Sequence, residues 1–407
     1  MRTRRWCVAV ALLSLGAPAM AQTVLSEADA LARLSPDSPR VRAIRAAVDV
    51  ARADVFAAGR WPNPRATYNR ESVAGITESM WTVTQPLPIT GRRGLEVDAA
   101  SALVEASGHR ADEEIRRARA ELRGAYADLV SAQVRETELT QARDRLRALA
   151  DVLARRESAG DAAGYDQLRA EREVMDIDAE WVAARADRAR AQAALASFFA
   201  TPADVTAIVA LGPTATARVP LPAIEALMAR AEMTRGEAAA LQQEIESARF
   251  ADRAATRRLV PEPEIVAGTK SSNVGGGDVG SVVSVHAAIP LFDHSRPERA
   301  IAQAHLAQAE ARAAVFRTSL SAQITALRML VDERREVADR YRATSTTSAA
   351  ELERIAQVSY DAGERGILEL LDAYRSGAAS RTRQAVLDAA VRRAEIELEF
   401  VSGWEIQ

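Results

Sequence analysis

The sequence predicts a mainly α-helical chain with a small β part, built twice over from one unit. Trp61-Pro62-Asn63-Pro64 opens an alternating polar/apolar stretch that closes at Gln85-Pro86-Leu87-Pro88, and Val260-Pro261-Glu262-Pro263 opens a similar one that closes at Ile289-Pro290-Leu291-Phe292. A long Ala/Arg/Glu-rich segment follows each, ending at Ser158-Ala159-Gly160 in the first half and Asp361-Ala362-Gly363 in the second. Pro86 and Pro290 are 204 residues apart and Gly160 and Gly363 are 203 apart. A discrepancy of one residue over so long a span marks a repeated unit. Composition agrees: the 407 residues hold 4% aromatics and 15 prolines, most of them between the long runs. Long helices packed through small side chains suit that profile better than a thick globular core.

Residues 1–21 read as a secretory signal peptide. Arg2, Arg4 and Arg5 give a basic start, Val8 to Leu15 an apolar middle, and Ala19-Met20-Ala21 a small-residue cleavage site. The expected product begins at Gln22 and is exported from a bacterial cytoplasm. The apolar run is too short for a membrane helix, and no later stretch approaches the roughly 18 uncharged apolar residues that one needs. Cys7, the single cysteine, would leave with the signal. No disulfide, thiolate metal site, cysteine nucleophile or N-terminal lipid anchor is therefore expected. Without the three signal arginines, 50 basic residues face 56 acidic ones; that balance argues against nucleic acid as a partner.

Residues 25–60 are predicted helical, with Ser26 as N-cap, Glu27 and Asp29 in the first turn, and a break at Ser35-Pro36-Asp37-Ser38-Pro39. Pro62 and Pro64 then forbid helix. Two short strands follow at 65–73 and 78–85, joined by Ala74-Gly75-Ile76-Thr77. Proline is absent from Arg92 to Glu157, where Ile115, Ala118, Leu122, Ala125, Leu129 and Ala132, and later Leu146, Leu149 and Leu153, keep spacings near three and four. That is a heptad-like seam with many Ala knobs. At 1.5 Å per residue it makes a rod roughly 90–100 Å long. A shorter helix over 165–199 follows, then a Pro/Gly/Thr linker from Thr201 to Pro222.

The second half repeats the order. A helical stretch covers 223–257, a strand pair about 264–288 turns in Ser271 to Gly280, and a second rod covers 298–360. Its expected seam is Phe316, Leu320, Ile324, Leu327, Val331, Ala338, Tyr341, Leu352 and Ile355, with Ser345 and Ser348 at intervening seam positions. A last helix covers 367–402. The chain thus divides into the signal peptide, a first repeat over 22–222 and a second over 223–407, with long helical hairpins at about 92–199 and 297–402. Gly275-Gly276-Gly277 is a flexible turn; no Lys-Ser/Thr or helix start follows it, so it is a poor phosphate loop.

Four strands are too few to close a barrel, and an open sheet leaves backbone groups that a bilayer cannot satisfy. Three chains would supply twelve strands, and the duplication would make such a trimer pseudo-sixfold. Trp61, Tyr68, Trp81 and Phe292 lie near the strand ends, where an aromatic girdle would sit.

At these residues the chain resembles the TolC-like outer-membrane efflux protein family, over essentially the whole mature sequence. The resemblance is carried by Trp61-Pro62-Asn63-Pro64, by Gln85-Pro86-Leu87-Pro88 with Gly91-Arg92, and by Ile289-Pro290-Leu291-Phe292-Asp293 with Arg296. Ser158-Ala159-Gly160 with Asp166-Gln167-Leu168, and Gly363 with Leu370-Leu371-Asp372-Ala373, match the family's hairpin turns. It implies a homotrimeric duct: a twelve-stranded β-barrel through outer-membrane lipid, and an α-helical barrel reaching into the periplasm. The helical tips would dock on a periplasmic adaptor (membrane fusion protein) linked to an inner-membrane RND-type pump. Transport is passive in this family, which uses no cofactor and does no chemistry. On the resemblance, Gly160, Gly164, Gly363 and Gly366 are adaptor-docking tip turns. Arg155, Asp166, Arg365, Glu369 and Asp372 are candidate gate charges.

The short length and short linker resemble the branch serving cobalt-zinc-cadmium resistance pumps, which implies heavy-metal cations as cargo. His109, His286, His294 and His305 show no ligand cluster, but a duct need not bind what it passes. A type I secretion duct or a drug-efflux duct would share the fold. A periplasmic adaptor and a structural coiled coil are the alternatives of another class. An adaptor should carry split lipoyl-like β segments flanking one hairpin, whereas here strand pair and rods occur twice. No nucleophile–His pairing, metal-ligand spacing or phosphate loop points to an enzyme.

Overall fold

A computed structural model describes residues 23–159, 164–200, 204–212, 219–292 and 294–404. The expected signal peptide and Gly160 lie outside them. The chain opens with β1 (Thr23–Leu25) and α1 (Glu27–Ala32), whose N-cap Ser26 and Asp29 form a reciprocal capping box. Helix α2 (Pro39–Gly59) starts on Ser38, with proline in its first turn where no N–H is missed. Strands β2 (Arg65–Val73) and β3 (Ile76–Pro86) form an antiparallel hairpin around Ala74-Gly75. Helix α3 (Arg92–Ser158) is one unbroken rod of 67 residues, about 100 Å at 1.5 Å per residue. Helix α4 (Gly164–Ala196) packs back along it.

After the short β4 (Ile208–Ala210) the second half presents α5 (Ile224–Thr234), α6 (Gly236–Arg257), β5 (Pro263–Ser272) and β6 (Val279–Ala287). Its rod consists of α7 (Arg296–Tyr341), a π-helical segment Arg342–Thr346 and α8 (Thr347–Asp361); α9 (Ile367–Ser402) returns along it. The two strand pairs merge into one antiparallel sheet of order β2-β3-β5-β6. Long helices, a strand pair and a return helix therefore occur twice, in the same order.

The first seam forms as its spacing predicts. Ala118, Leu122, Leu129, Ala132, Leu146 and Leu153 are all buried. One core gathers β1, α1, mid-α3, the end of α4 and β4; a second joins the far halves of α3 and α4 to α8 and the start of α9. A third packs α5 and α7 on the end of α9, around Leu320, Ile324, Val331 and Leu398.

Three local readings need correction. Residues 201–222 are not plain linker, because Ile208–Ala210 pairs in parallel with Thr23–Leu25. Three-residue strands carry too little alternation to be read from sequence. The helix over 223–257 breaks at Arg235, whose ψ of 118 is extended. Its guanidinium is held by Glu113, and Glu113 also accepts from the Gly236 N–H.

The third correction concerns the second rod. Leu320, Ile324, Val331 and Ala338 are buried as expected, but beyond the π segment the buried residues are Ala349, Glu353 and Ala356. Leu352 and Ile355 are exposed instead. A π turn takes one residue more than an α turn, so it advances the buried stripe by one position, from 352 and 355 to 353 and 356.

Candidate membrane face and hairpin tips

Alternate side chains of a strand point to opposite faces, so the register sorts the sheet into two surfaces. One face carries Ala66 and Tyr68 of β2, Trp81 and Val83 of β3, Ile265 and Ala267 of β5, and Val283, Val285 and Ala287 of β6. Trp81, Val83, Val283 and Val285 are exposed on it. The other face carries Arg65, Asn69, Glu71, Glu78, Glu264, Lys270 and His286. Arg65 meets both oxygens of Glu264 at 3.0 and 2.9 Å, and Lys270 pairs with Glu78 at 2.6 Å. The sheet thus sets an exposed, largely apolar face against one that holds all the carboxylates of its strands, among which Val266 is buried.

The four aromatics fall at two levels. Tyr68 and Trp81 are direct cross-strand partners on the apolar face, with ring centroids 4.5 Å apart. Trp61 and Phe292 lie outside the strands, at the end of the sheet next to the helices. Arg93 of α3 stacks over the Trp61 ring, and Phe292 is 95% exposed.

At the opposite end of the rods, the second hairpin turns in a Schellman motif. Gly363 takes φ +72, its N–H bonds Tyr360 O, and the Glu364 N–H reaches Ser359 O. Gly366 then caps α9 in an extended conformation. On the first hairpin the Ala159 N–H closes α3 on Arg155 O, and Gly164 begins α4. The two tips adjoin, since Arg156 lies over the Tyr360 ring and within 3.4 Å of its hydroxyl. Arg155, Arg365, Glu369 and Asp372 are exposed and Asp166 is half-buried, and none forms an ion pair with another described residue.

Sequence reading missed the charges that join the hairpins. Glu353 of α8 accepts from Arg145 of α3 at 3.0 Å and from Arg381 of α9 at 2.8 Å; Arg381 also donates to Glu138 of α3 at 2.6 Å. Glu353 is buried directly against Gly377, where an added Cβ would lie 1.5 Å from its Oε1. The partners are 208 and 243 residues apart, so no local pattern announces them. A second network sits at mid-rod. Burial would raise the Glu27 carboxyl, but Arg392 and Arg123 outweigh it and hold it below the ordinary carboxylate range. Glu27 thereby ties α1 to both α3 and α9.

Among the described residues no group of acidic, His or Cys side chains is arranged to hold a metal ion, and no helix is long and apolar enough to cross a membrane. No protein-family model matches the sequence, and no curated protein matches it. Solved structures do. The CmeC outer membrane channel of Campylobacter jejuni is similar with a TM-score of 0.76 at 12% identity, over 93% of this chain and 85% of that one. The chain has the fold of the outer-membrane channels. The channel fold recurs in a membrane protein from Pseudomonas aeruginosa, with a TM-score of 0.77 at 19% identity over 93% and 92% of the two chains. It recurs again in the outer membrane protein VceC of Vibrio cholerae, at 0.74 and 15% over 94% and 97%. This is the fold that the resemblance to TolC-like proteins implies, and the match extends through sheet and rods alike.

Proposed function

We propose that the chain is the outer-membrane channel of a tripartite efflux system. Three copies close a twelve-stranded barrel in the outer membrane, and six hairpins form a periplasmic tube that docks on an adaptor and an inner-membrane pump. The observation that carries this reading is the two-faced sheet standing at one end of rods about 100 Å long. Its apolar face suits lipid and its charged face suits a watery lumen. The exposed backbone edges of β2 and β6 would be satisfied by neighbouring copies. Passive conduction follows from a duct without reacting groups. Fractionation with the outer membrane and stepwise conductance in planar bilayers test it; recovery as a soluble periplasmic rod would sink it.

The gate belongs to the same proposal. Glu369, Asp372, Arg155 and Arg365 are exposed beside the tip turns and Asp166 is half-buried there, all available to pair across protomers. Asp372→Ala and Asp166→Ala channels should conduct more than wild type, and unchanged conductance in both would remove them from the gate. Heavy-metal cations are the proposed cargo. The charged sheet face supports cation passage, with Glu71, Glu78 and Glu264 against Arg65 and Lys270. A strain lacking the gene should become sensitive to cobalt, zinc or cadmium salts; sensitivity to organic drugs alone would assign the chain to drug efflux.

A further inference from the structure

The apolar face of the sheet carries a single charge. Reading the register outward from the helices, successive rows are Gln85, Ile265 and Val285, then Ala66, Val83, Ala267 and Val283, then Tyr68, Trp81, Thr269 and Ser281. The next row holds Arg70, Ser79, Ser271 and Val279. Beyond it come Ser72, which contacts Thr77, and the Asn273 side chain, which accepts from the Thr77 N–H. No Asp or Glu stands on this face in any of the four strands. Every carboxylate of the sheet lies on the other side, where Glu264 and Glu78 already have cations. Continuing the sheet with a second copy preserves the faces and so brings no carboxylate to this one. Arg70 is exposed and has no partner among the described residues.

An arginine in that setting either extends to water or meets an anion from outside the protein. Its position favours the anion. It lies two residues, about 7 Å along the strand, beyond the stacked Tyr68–Trp81 pair, and such aromatics sit at the boundary between hydrocarbon and headgroups. The Ser79 side chain shares its row, adding a hydroxyl donor. We propose that Arg70 and Ser79 bind the phosphate of an anionic lipid headgroup, in the leaflet at the hairpin-turn end of the sheet. Guanidinium suits this role because its planar fork meets phosphate oxygens in pairs. In a trimer the site occurs three times, forming a belt that fixes the depth of the barrel. The inference rests on the channel reading above.

The test uses the full chain purified from membranes in detergent, with native mass spectrometry counting retained lipid. The probes are bis-phosphorylated lipid A, the same glycolipid stripped of phosphate, and inorganic phosphate as competitor. Wild type should retain bis-phosphorylated lipid A about five-fold better than Arg70→Gln, the factor for one arginine at an anionic surface. Arg70→Lys should retain more than Arg70→Gln, and the dephosphorylated lipid should bind both equally. Equal retention of the phosphorylated lipid by wild type and Arg70→Gln overturns the proposal, as does displacement by equimolar inorganic phosphate. Planar-bilayer conductance separates the two readings. If Arg70→Gln conducts normally, the lipid result alone decides on Arg70; if wild type itself forms no channel, the channel reading fails and takes this one with it.

Discussion

Glu353 and Gly377 show how much a single atom matters in a rod-on-rod contact. Glu353 occupies the volume that a side chain at 377 would need, and two arginines from different helices hold it there. Gly377→Ala should therefore act like Glu353→Ala, displacing the carboxylate and loosening α8 and α9 from α3. Removing one member of a largely buried ion pair costs about 3 kcal/mol. Both variants should show a lowered thermal midpoint and faster proteolysis at the tips; a Gly377→Ala protein as stable as wild type would refute the shared mechanism. Glu27 gives a pH signature. Its carboxyl lies below its ordinary value of 4.5 in the folded chain, so its stabilisation is complete above that value and is lost as pH falls through the lowered one. The thermal midpoints of wild type and Glu27→Gln should differ at neutral pH and converge as pH drops below about 4.5.

Among the elements, the π segment of the second rod has the widest effect. Deleting Ser345 should restore α geometry without moving the stripe, because the lost residue and the lost π turn cancel, so Ala349, Glu353 and Ala356 stay in the seam and Glu353 stays within reach of Arg145 and Arg381. The expected result is a second tip that keeps its protection, measured as amide exchange over 347–366 as slow as in wild type, whereas deleting Ala350 outside the segment should speed it by turning Glu353 off the seam. Rapid exchange over 347–366 on deleting Ser345 would show that the π segment is not a one-residue insertion into the stripe. The same segment marks where sequence legibility stops. Both strand pairs, the first rod and the return helices were readable, because periods of two and near 3.5 each survive many repeats in the side chains. The shift at 342–346 was not, since Arg342, Thr344, Ser345 and Thr346 are polar and Ala343 alone gives no apolar beat to slip. Gly363 and Gly366 were legible as turn residues from local chemistry. The ion pairs behind them were not, because Arg145 and Glu353 are neighbours only once two hairpins have packed.

For the whole molecule, neighbouring residues on one strand should behave as if in different solvents. Val283 lies on the apolar face and Ser284 on the charged one. An arginine facing lipid costs about 2–4 kcal/mol at mid-bilayer, so Val283→Arg should lower the amount assembled in the outer membrane. Ser284→Arg should assemble normally and change conductance, and equal assembly of the two would contradict the assignment of faces. The pairing of β1 with β4 has a consequence of another kind, for the order of events as the chain is delivered. Every residue of the core around that pairing lies between Leu25 and Ala210. The first half can close its own centre before the second half has arrived. Helix α9, the last long element, then lands on a finished surface of α3 and completes the long-range contacts at the end. On the proposed channel reading, in which the chain is exported front end first, its earliest segments are tied down while the remainder is still in transit.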